Sequence, residues 1–402
     1  MKIKKDFNKF TAVFFVLIFP SPIFSALIWE NFHLHFLLAV GLILSLAHIY
    51  TGTQKTIVYL SLTLALAGCV ASILAQSLSQ IGIFLIVIIS LNVATIIRSS
   101  VIDHRTLSLM NQIVILVLVG AWVSLLYFSL GGTPVWLIHN PDGRPNLLFL
   151  SSFTNSGDYD FWGVIRPSGI YDEAGALSFA LSLLVILNEL HNPRNRISLP
   201  IMLLGLITMS LTHALLTAIY LIYFSRKIKF KIFYLLVVLL SSSYLFSTIN
   251  PESKLSINFL NRFVIDEGRL LGDNRSGQVI NFLDTALKDP DVSTRGHQTI
   301  KKEIGANRYD FDQSSNPFSI WYNYGAIAWL VYFSSMAYIS YISIKNFRNP
   351  HIFISGVFLI IILLQRPYIH HPMWSIAVWV TILALSHACR TPKHLYALSS
   401  RN

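Results

Sequence analysis

The sequence contains little charge and almost no cysteine. Charged residues make up 12% of the 402-residue chain and hydrophobic residues 54%, whereas roughly a quarter of the residues in a soluble domain are charged. This composition excludes an ordinary soluble globular protein. The two cysteines, Cys69 and Cys389, lie far apart in apolar segments, so the sequence predicts neither a disulfide framework nor a cysteine-based metal site.

The common motifs of nucleotide-binding and metal-dependent enzymes are also missing. The sequence has no P-loop, no HExxH, no CxxC and no dinucleotide-binding fingerprint, so we expect neither a cofactor nor a metal ion. Its net charge of +11 does not indicate a nucleic-acid partner, because the basic residues are divided among many short segments instead of forming one basic patch.

Long apolar runs are the dominant feature of the sequence. Because backbone groups in lipid must pair within their own segment, continuous runs near 20 residues predict transmembrane helices. The runs cover 10–29, 34–50, 57–75, 81–97, 112–130, 174–190, 232–249, 317–344, 352–365 and 373–389. We therefore predict an all-α fold in which residues 1–402 form a single polytopic transmembrane bundle.

A further apolar stretch, 198–224, has basic residues on both flanks. One long tilted helix would place those flanks on opposite sides of the membrane. A hairpin of two short helices, turning near "SLTHALL" (210–216), would keep them on the same side. We favour the hairpin, which gives about 12 spans when its two short helices are counted with the ten long apolar runs.

Most of the 30 basic residues lie in the short segments between the runs and at the two ends of the chain. This distribution follows the positive-inside rule and predicts that both termini are cytoplasmic. Two large segments, 131–173 and 250–316, then face outwards. The second is expected to be partly helical, because "SGQVINFLDTALKD" (276–289) has apolar residues at helical spacing.

The entrance to the span 174–190 carries an unusual group of charges, Arg166, Asp172 and Glu173. Small residues follow Glu173, which predicts close packing and a carboxylate that faces a cavity. Pro167 and Gly169 predict a turn that directs Arg166 back into the protein. Asp172 is interpreted either as a helix cap, favoured by the helix dipole, or as an alternative catalytic base to Glu173.

Three other outer segments offer polar candidates for binding. Asn274 and Arg275 occur in "GDNRSGQ" (272–278), where Arg275 is equally explained as a solvated residue paired with Asp273. The remaining candidates are Arg366 and His370 in "LLQRPYIHHPMW" (363–374), and Asn316 in "SSNPFSIWYNYGAIAWL" (314–330). The aromatic residues of these segments are typical of interface anchors, and they also suit stacking on sugar rings.

Arginine forks bind phosphate in a bidentate manner, and a carboxylate can accept a proton from a sugar hydroxyl. This set of residues therefore suits an anionic lipid that carries sugars. We expect Arg166, Arg275 and Arg366 to converge above the spans and bind its phosphates. We assign Glu173 as the base and Arg166 as the cation that keeps it ionised.

The sequence resembles the bacterial O-antigen polymerase (Wzy) family and, more distantly, the O-antigen ligases. The resemblance is carried by "RPSGIYDEAGALS" (166–178), "DNRSGQVINFL" (273–283) and "SSNPFSIWYNYGAIAWL" (314–330). Ligases typically have a His-Asn pair where this sequence has Ser315 and Asn316, which favours a polymerase. Many relatives also have Ser-Arg-Gly at the hairpin turn, and this sequence does not.

The resemblance implies a glycosyltransferase of the bacterial inner membrane that needs neither a nucleotide sugar nor a metal. Its donor and acceptor would both be oligosaccharide repeats linked to undecaprenyl pyrophosphate, and a chain-length regulator protein is an expected partner. A ligase-type transferase and a flippase of lipid-linked glycans remain alternatives. Flippases typically have charges within their spans and short outer loops, whereas these spans are nearly free of charge.

Overall fold

The structure is a computed structural model, and it describes residues 9–21, 55–75, 79–139, 145–155, 165–224, 265–266, 269–270, 283, 288, 290–296 and 316–390. The described part is mostly helical, as expected for a helical membrane protein. Five of its helices are long and apolar enough to cross a membrane: Thr56–Ala75, Ile81–Val101, His104–Ser129, Ala174–His191 and Ala326–Lys345. The predicted spans 34–50 and 232–249 lie outside the described residues.

The described helices follow the predicted apolar runs closely. They are α1 (Lys9–Ile18), α2 (Lys55–Ala75), α3 (Ser79–Val101), α4 (His104–Ser129), α5 (Ala174–His191), α6 (Ser198–Leu204), α7 (Leu211–Phe224), α8 (Pro290–Arg295), α9 (Ser319–Tyr324), α10 (Ala326–Lys345), α11 (Pro350–Gln365) and α12 (Ser375–Arg390). One predicted span, 317–344, is divided into α9 and α10 by Gly325, which has a φ of 82°.

Helix α5 is the centre of the bundle. Of its membrane-length segment, 94% is buried inside the protein, and it packs against α4, α6, α11 and α12. From Ala174 to Leu187 its residues are apolar or small all the way round the helix, a pattern typical of a fully enclosed helix. A reciprocal pair of amide hydrogen bonds, 3.0 and 2.8 Å long, joins Asn188 of α5 to Asn111 of α4.

The predicted hairpin over 198–224 is confirmed. Helix α6 continues into a short 3₁₀ turn (Gly205–Thr208), and the chain reverses at Met209, which has a left-handed φ of 50°. Helix α7 then returns alongside, with His213 Nε2 2.9 Å from the Met202 carbonyl oxygen. The reversal comes slightly before the predicted 210–216, because "SLTHALL" begins with one loop residue and then enters the second helix.

The carboxylate of Glu189, near the end of α5, forms hydrogen bonds with the open end of the hairpin. Glu189 accepts hydrogen bonds from the hydroxyls of Tyr220 (2.6 Å) and Tyr223 (3.0 Å) in α7. It also accepts bonds from the backbone N–H groups of Arg194 (2.7 Å) and Asn195 (3.2 Å). Both flanks of the hairpin therefore lie at the same end of the bundle.

That end also holds the other described basic segments, and we call it the basic end. Arg98 at the end of α3 lies close enough to Arg390 at the end of α12 for electrostatic repulsion. Lys345 interacts with Cys389 beside it, and Arg194 interacts with His351 of α11. The opposite end carries Glu173 and is called the Glu173 end.

The first of the two large segments predicted to face outwards, 131–173, contains a small antiparallel sheet, which corrects the expectation of an all-α fold. Its strands are β1 (Trp136–His139), β2 (Pro145–Phe149) and β3 (Ser152–Asn155), in the order β1-β2-β3. Trp136 pairs with Leu148, and Phe149 pairs with Ser152. Apolar and aromatic residues in these strands favour β-structure, but the strands are too short to give a recognisable alternation in the sequence.

The second large segment is described only in part. It contains the strands β4 (Ile265–Asp266) and β5 (Arg269–Leu270) and the short helix α8. Arg295 at the end of α8 donates a 3.0 Å hydrogen bond to the carbonyl of Ala75, the last residue of α2. The helix predicted over 276–289 lies outside the described residues, apart from Leu283 and Lys288.

Candidate functional site

The "RPSG" turn (166–169) is fixed to strand β3. The backbone N–H of Phe153 donates to the carbonyl of Gly169 (2.9 Å), and the N–H of Ser168 donates to the carbonyl of Phe153 (2.7 Å). Gly169 has a φ of 63°, and a Cβ at this position would lie 2.4 Å from Cγ1 of Val117. Only glycine satisfies both the backbone conformation and the space at this point.

The turn leads directly into the start of α5. Glu173 occupies the N-cap position with an extended backbone, and its side chain makes no capping hydrogen bond. The interpretation of Asp172 as the helix cap is therefore wrong by one residue, because Asp172 precedes the N-cap.

Glu173 instead forms an ion pair with Arg366. Nη1 of Arg366 donates to Oε1 of Glu173, across 193 positions of sequence. The Arg366 side chain is 6% exposed and the Glu173 side chain 27% exposed, so the arginine lies inside the protein and the carboxylate is partly exposed. We had expected Arg166 to supply the positive charge beside Glu173, and Arg366 supplies it.

Gly175 makes room for the guanidinium. A Cβ at Gly175 would lie 2.2 Å from Nη2 and 3.0 Å from Cζ of Arg366. The small residues after Glu173 were predicted to allow close helix packing. At Gly175, the second residue of α5, the group that packs closely against the helix is the guanidinium of Arg366.

An aromatic wall surrounds the ion pair. Tyr368 accepts a hydrogen bond from Nη1 of Arg366, and its ring stacks on Trp374 with centroids 5.6 Å apart and planes 12° apart. Phe179 of α5 meets both rings edge-on, with centroid distances of 5.0 and 5.2 Å. Tyr171 lies 5.4 Å from Trp374 on the other side. These rings exclude water from the arginine.

The electrostatics of the site keep Arg366 charged. Burial alone lowers the pKa of Arg366, but Glu173, Tyr368 and Asp172 together raise it above its ordinary value. Burial also raises the pKa of Tyr368 to about 12, against the opposing effect of Arg366, so its hydroxyl stays protonated at neutral pH. Asp172 thus contributes to the site through its charge.

Two neutral histidines complete this end of the bundle. Burial lowers the pKa of His370 to about 3. Burial, with Arg366 acting in the same direction, lowers the pKa of His371 to about 4. The ring of His371 contacts Tyr368, with centroids 4.8 Å apart. His370 is 5% exposed, and neither of its ring nitrogens has a hydrogen-bond partner in the described part of the chain.

Arg166 is held at the turn of the hairpin. Its carbonyl accepts a 3.3 Å hydrogen bond from the Thr154 hydroxyl of β3. Its Nη2 donates to the carbonyl of Thr208, also at 3.3 Å. Arg166 therefore links the sheet to the hairpin turn at the Glu173 end, and it is half-buried there.

Asn316 is fully buried at the start of α9. Its side-chain oxygen accepts a 2.9 Å hydrogen bond from the N–H of Phe318, and its carbonyl accepts bonds from the N–H and the hydroxyl of Ser319. These contacts shape the turn into the helix. Asn274 and Arg275 lie outside the described residues. Arg166 contacts Thr208 and Arg366 contacts Glu173, so the convergence of the three arginines stays a prediction.

Sequence reasoning did not include Tyr368 or Thr208 among the site residues. Tyr368 was noted only as part of an aromatic belt, although its spacing two residues after Arg366 allows both side chains to meet. Thr208 acts through its backbone carbonyl, and no side-chain pattern identifies such a contact.

The arrangement can bind an anion and accept a proton at one place. Arg366 offers a desolvated guanidinium, Glu173 a partly exposed carboxylate, and Tyr368 a half-buried aromatic ring beside them, backed by the buried Trp374. Comparison of the sequence with protein-family models and with curated proteins gives no match. The function is therefore inferred from the chemistry of the site.

Proposed function

We propose that this protein is a polymerase of lipid-linked glycans. It transfers oligosaccharide repeats from undecaprenyl pyrophosphate to the free end of another lipid-linked repeat, and so builds a surface polysaccharide such as O-antigen or capsule. The observation that carries the proposal is the ion pair between the buried Arg366 and the partly exposed Glu173 at the entrance of α5, bordered by aromatic rings. An uncharged passage or a purely structural helix end has no use for a desolvated arginine there.

In this proposal Arg366 binds the pyrophosphate of the donor. Its Nε is buried against α5 at Gly175, so the phosphate would compete for the Nη groups, of which Nη1 contacts Glu173 and Tyr368. A fork of this kind suits phosphate oxygens. The leaving group is already a stable anion, and it needs electrostatic stabilisation more than protonation.

The reaction then proceeds as one displacement at the donor sugar. The hydroxyl oxygen of the acceptor sugar forms a bond to the anomeric carbon, and the bond between that carbon and the pyrophosphate oxygen breaks. The hydroxyl proton passes to the Glu173 carboxylate, and the electron pair of the broken bond leaves with the lipid pyrophosphate. A sugar ring near this point would contact the half-buried Tyr368.

The ion pair also links donor binding to base strength. While Arg366 contacts Glu173, its positive charge favours the ionised carboxylate and makes it a weak proton acceptor. The donor pyrophosphate competes for the same guanidinium. When the phosphate takes over part of the Arg366 contacts, Glu173 becomes a stronger base, so proton transfer begins only in the loaded site.

The orientation in the membrane follows from the two ends of the bundle. With the basic end in the cytoplasm, the Glu173 end, the β1–β3 sheet and helix α8 face the periplasm. Both termini are then cytoplasmic, and the site opens to the outer face of the bacterial inner membrane, with about 12 spans in the complete chain. Lipid-linked repeats are used on that face after they have been flipped.

The glycan profile of the host tests the proposed function against its two alternatives. Without a polymerase, the outer lipid acceptor carries single repeats. Without a ligase, long chains accumulate unattached, and without a flippase no repeats reach the outer face. Deletion of the gene should give single repeats, restored to long chains by the wild-type protein. Either of the other two profiles would overturn the proposal.

A further inference from the structure

A cavity lies between helices α2, α3, α10 and α12, away from the site at Glu173. It has a volume of about 910 Å³, within the range of pockets that hold small molecules. Its walls are apolar along most of their length, and Leu330 (53% exposed) and Leu60 (39% exposed) lie along its open side. The cavity lies between apolar helices, so in a membrane we expect its open side to face lipid.

The cationic residues of this cavity are all at one end. Arg98 of α3 and Arg390 and His387 of α12 line it at the basic end. Arg98 and Arg390 are close enough to repel each other, and within the described residues neither forms an ion pair or hydrogen bond with a carboxylate. Two arginines that share a cavity mouth without a carboxylate are complementary to an anion.

The length of the cavity matches one leaflet of a bilayer. Its lining on α12 runs from Trp379 to Arg390, a rise of about 16 Å at the helical repeat. Half of the hydrocarbon core of a bilayer is about 15 Å thick. An acyl chain that enters at the arginines would therefore extend along the apolar walls to Trp379.

We propose that this cavity is a binding site for an anionic phospholipid, whose phosphate lies between Arg98 and Arg390 and whose acyl chain lies along α2, α10 and α12. Charge complementarity at the mouth and the leaflet-length apolar wall argue together for this occupant. The site faces the leaflet at the basic end, and it does not depend on the enzymatic activity proposed for the opposite end.

Trp379 provides a direct reporter at the far end of the cavity. The full-length protein is reconstituted with phosphatidylglycerol or phosphatidylcholine brominated in the acyl chain, and the Trp379 signal is obtained as the difference from the Trp379→Phe variant. Brominated phosphatidylglycerol should quench this signal more strongly than phosphatidylcholine. Each arginine near a membrane surface favours an anionic lipid by roughly five-fold.

The variants separate a specific site from general surface charge. Combined Arg98→Gln and Arg390→Gln substitutions should remove the preference, and Arg98→Lys with Arg390→Lys should retain most of it. Arg105→Gln, at an exposed basic residue of the same end that does not line the cavity, should leave the preference unchanged.

Three results would overturn the proposal. Equal quenching by the two lipids would mean that the cavity does not select anions. An equal loss of preference in Arg105→Gln would assign the effect to the general charge of the basic end. Absence of quenching by either lipid would mean that another protein segment or a second copy covers the cavity.

Discussion

The guanidinium of Arg366 occupies the space that a side chain at Gly175 would fill. A Cβ there would lie 2.2 Å from Nη2 of Arg366, and the same guanidinium is paired with Glu173. The helix that carries the proposed base therefore also provides the pocket for its counterion, two residues further along the chain.

Gly175→Ala is expected to displace Arg366 and impair polymerisation while the protein still folds. Hydrogen bonds to charged groups contribute about 1.5–3 kcal/mol each, so the loss of one should reduce donor use roughly ten- to a hundred-fold. Polymer formation at matched protein levels measures the effect. Gly82→Ala in α3 is the control, since a Cβ there meets nothing within 4 Å; equal polymer in both variants would contradict the packing role of Gly175.

Gly169→Ala should destabilise the protein through both backbone strain and a clash. The left-handed conformation costs roughly 1–2 kcal/mol for a residue with a side chain, and the new Cβ would collide with Val117. Gly131 also has a positive φ, 85°, but has open space around it, so Gly131→Ala should cost less. Thermal unfolding in detergent shows which variant is less stable. An equal decrease in unfolding temperature in both variants would contradict the destabilising clash with Val117.

The buried histidines predict a loss of stability on acidification. The pKa of His370 is about 3 in the folded protein, below the ordinary value near 6.5. Protons therefore bind preferentially to the unfolded chain as the pH falls below that ordinary value. The contribution of the neutral His370 to the free energy of unfolding is fully present at neutral pH, and it is lost progressively as the pH falls towards 3.

His370→Gln should reduce this pH dependence. Between about pH 6.5 and pH 5, one such histidine lowers the free energy of unfolding by about 2 kcal/mol. Unfolding temperatures of the wild type and the variant, measured at both pH values, give the difference in slope. His104→Gln, at an exposed histidine, is the control. Parallel slopes for wild type and His370→Gln would show that His370 is not held neutral by burial.

The orientation of the bundle predicts opposite accessibility for two described positions. With Cys69 and Cys389 replaced by serine, Leu150→Cys in the turn between β2 and β3 should react with a membrane-impermeant maleimide in spheroplasts. Arg196→Cys at the basic end should react only after the membrane is opened. Both positions are exposed, so reaction of both in intact spheroplasts would exclude the proposed topology.

The sequence predicted the helices and the hairpin because both depend on local composition. The basic flanks of 198–224 could be satisfied on one side of the membrane only by a reversal, and the structure has one at Met209. The close packing after Glu173 was predicted from the small residues that follow it, whereas the cavity expected beside the carboxylate stays a prediction. The cation beside Glu173 was not predicted, because Arg366 is 193 positions away and no local pattern relates the two residues.

Other features were missed because they depend on tertiary contacts or on very short elements. Gly325 interrupts the predicted span 317–344, and a Cβ there would lie 2.3 Å from the carbonyl oxygen of Thr294. The break thus reflects contact with α8, in a different part of the sequence. The β1–β3 sheet has strands of four or five residues, too short for an alternating pattern to stand out among apolar runs.

The central claim is that Glu173 accepts the proton of the acceptor hydroxyl, and purified protein tests it most directly. The protein is reconstituted with undecaprenyl-pyrophosphate-linked repeats. The rate at which two repeats are joined into a lipid-linked dimer of repeats is compared for wild type, Glu173→Gln and Asp172→Asn. Removal of a general base typically costs about 10²–10⁴-fold, so Glu173→Gln should lose activity on this scale while Asp172→Asn keeps most of it. Normal dimer formation by Glu173→Gln, with Arg366 still in place, would contradict the assignment of the base.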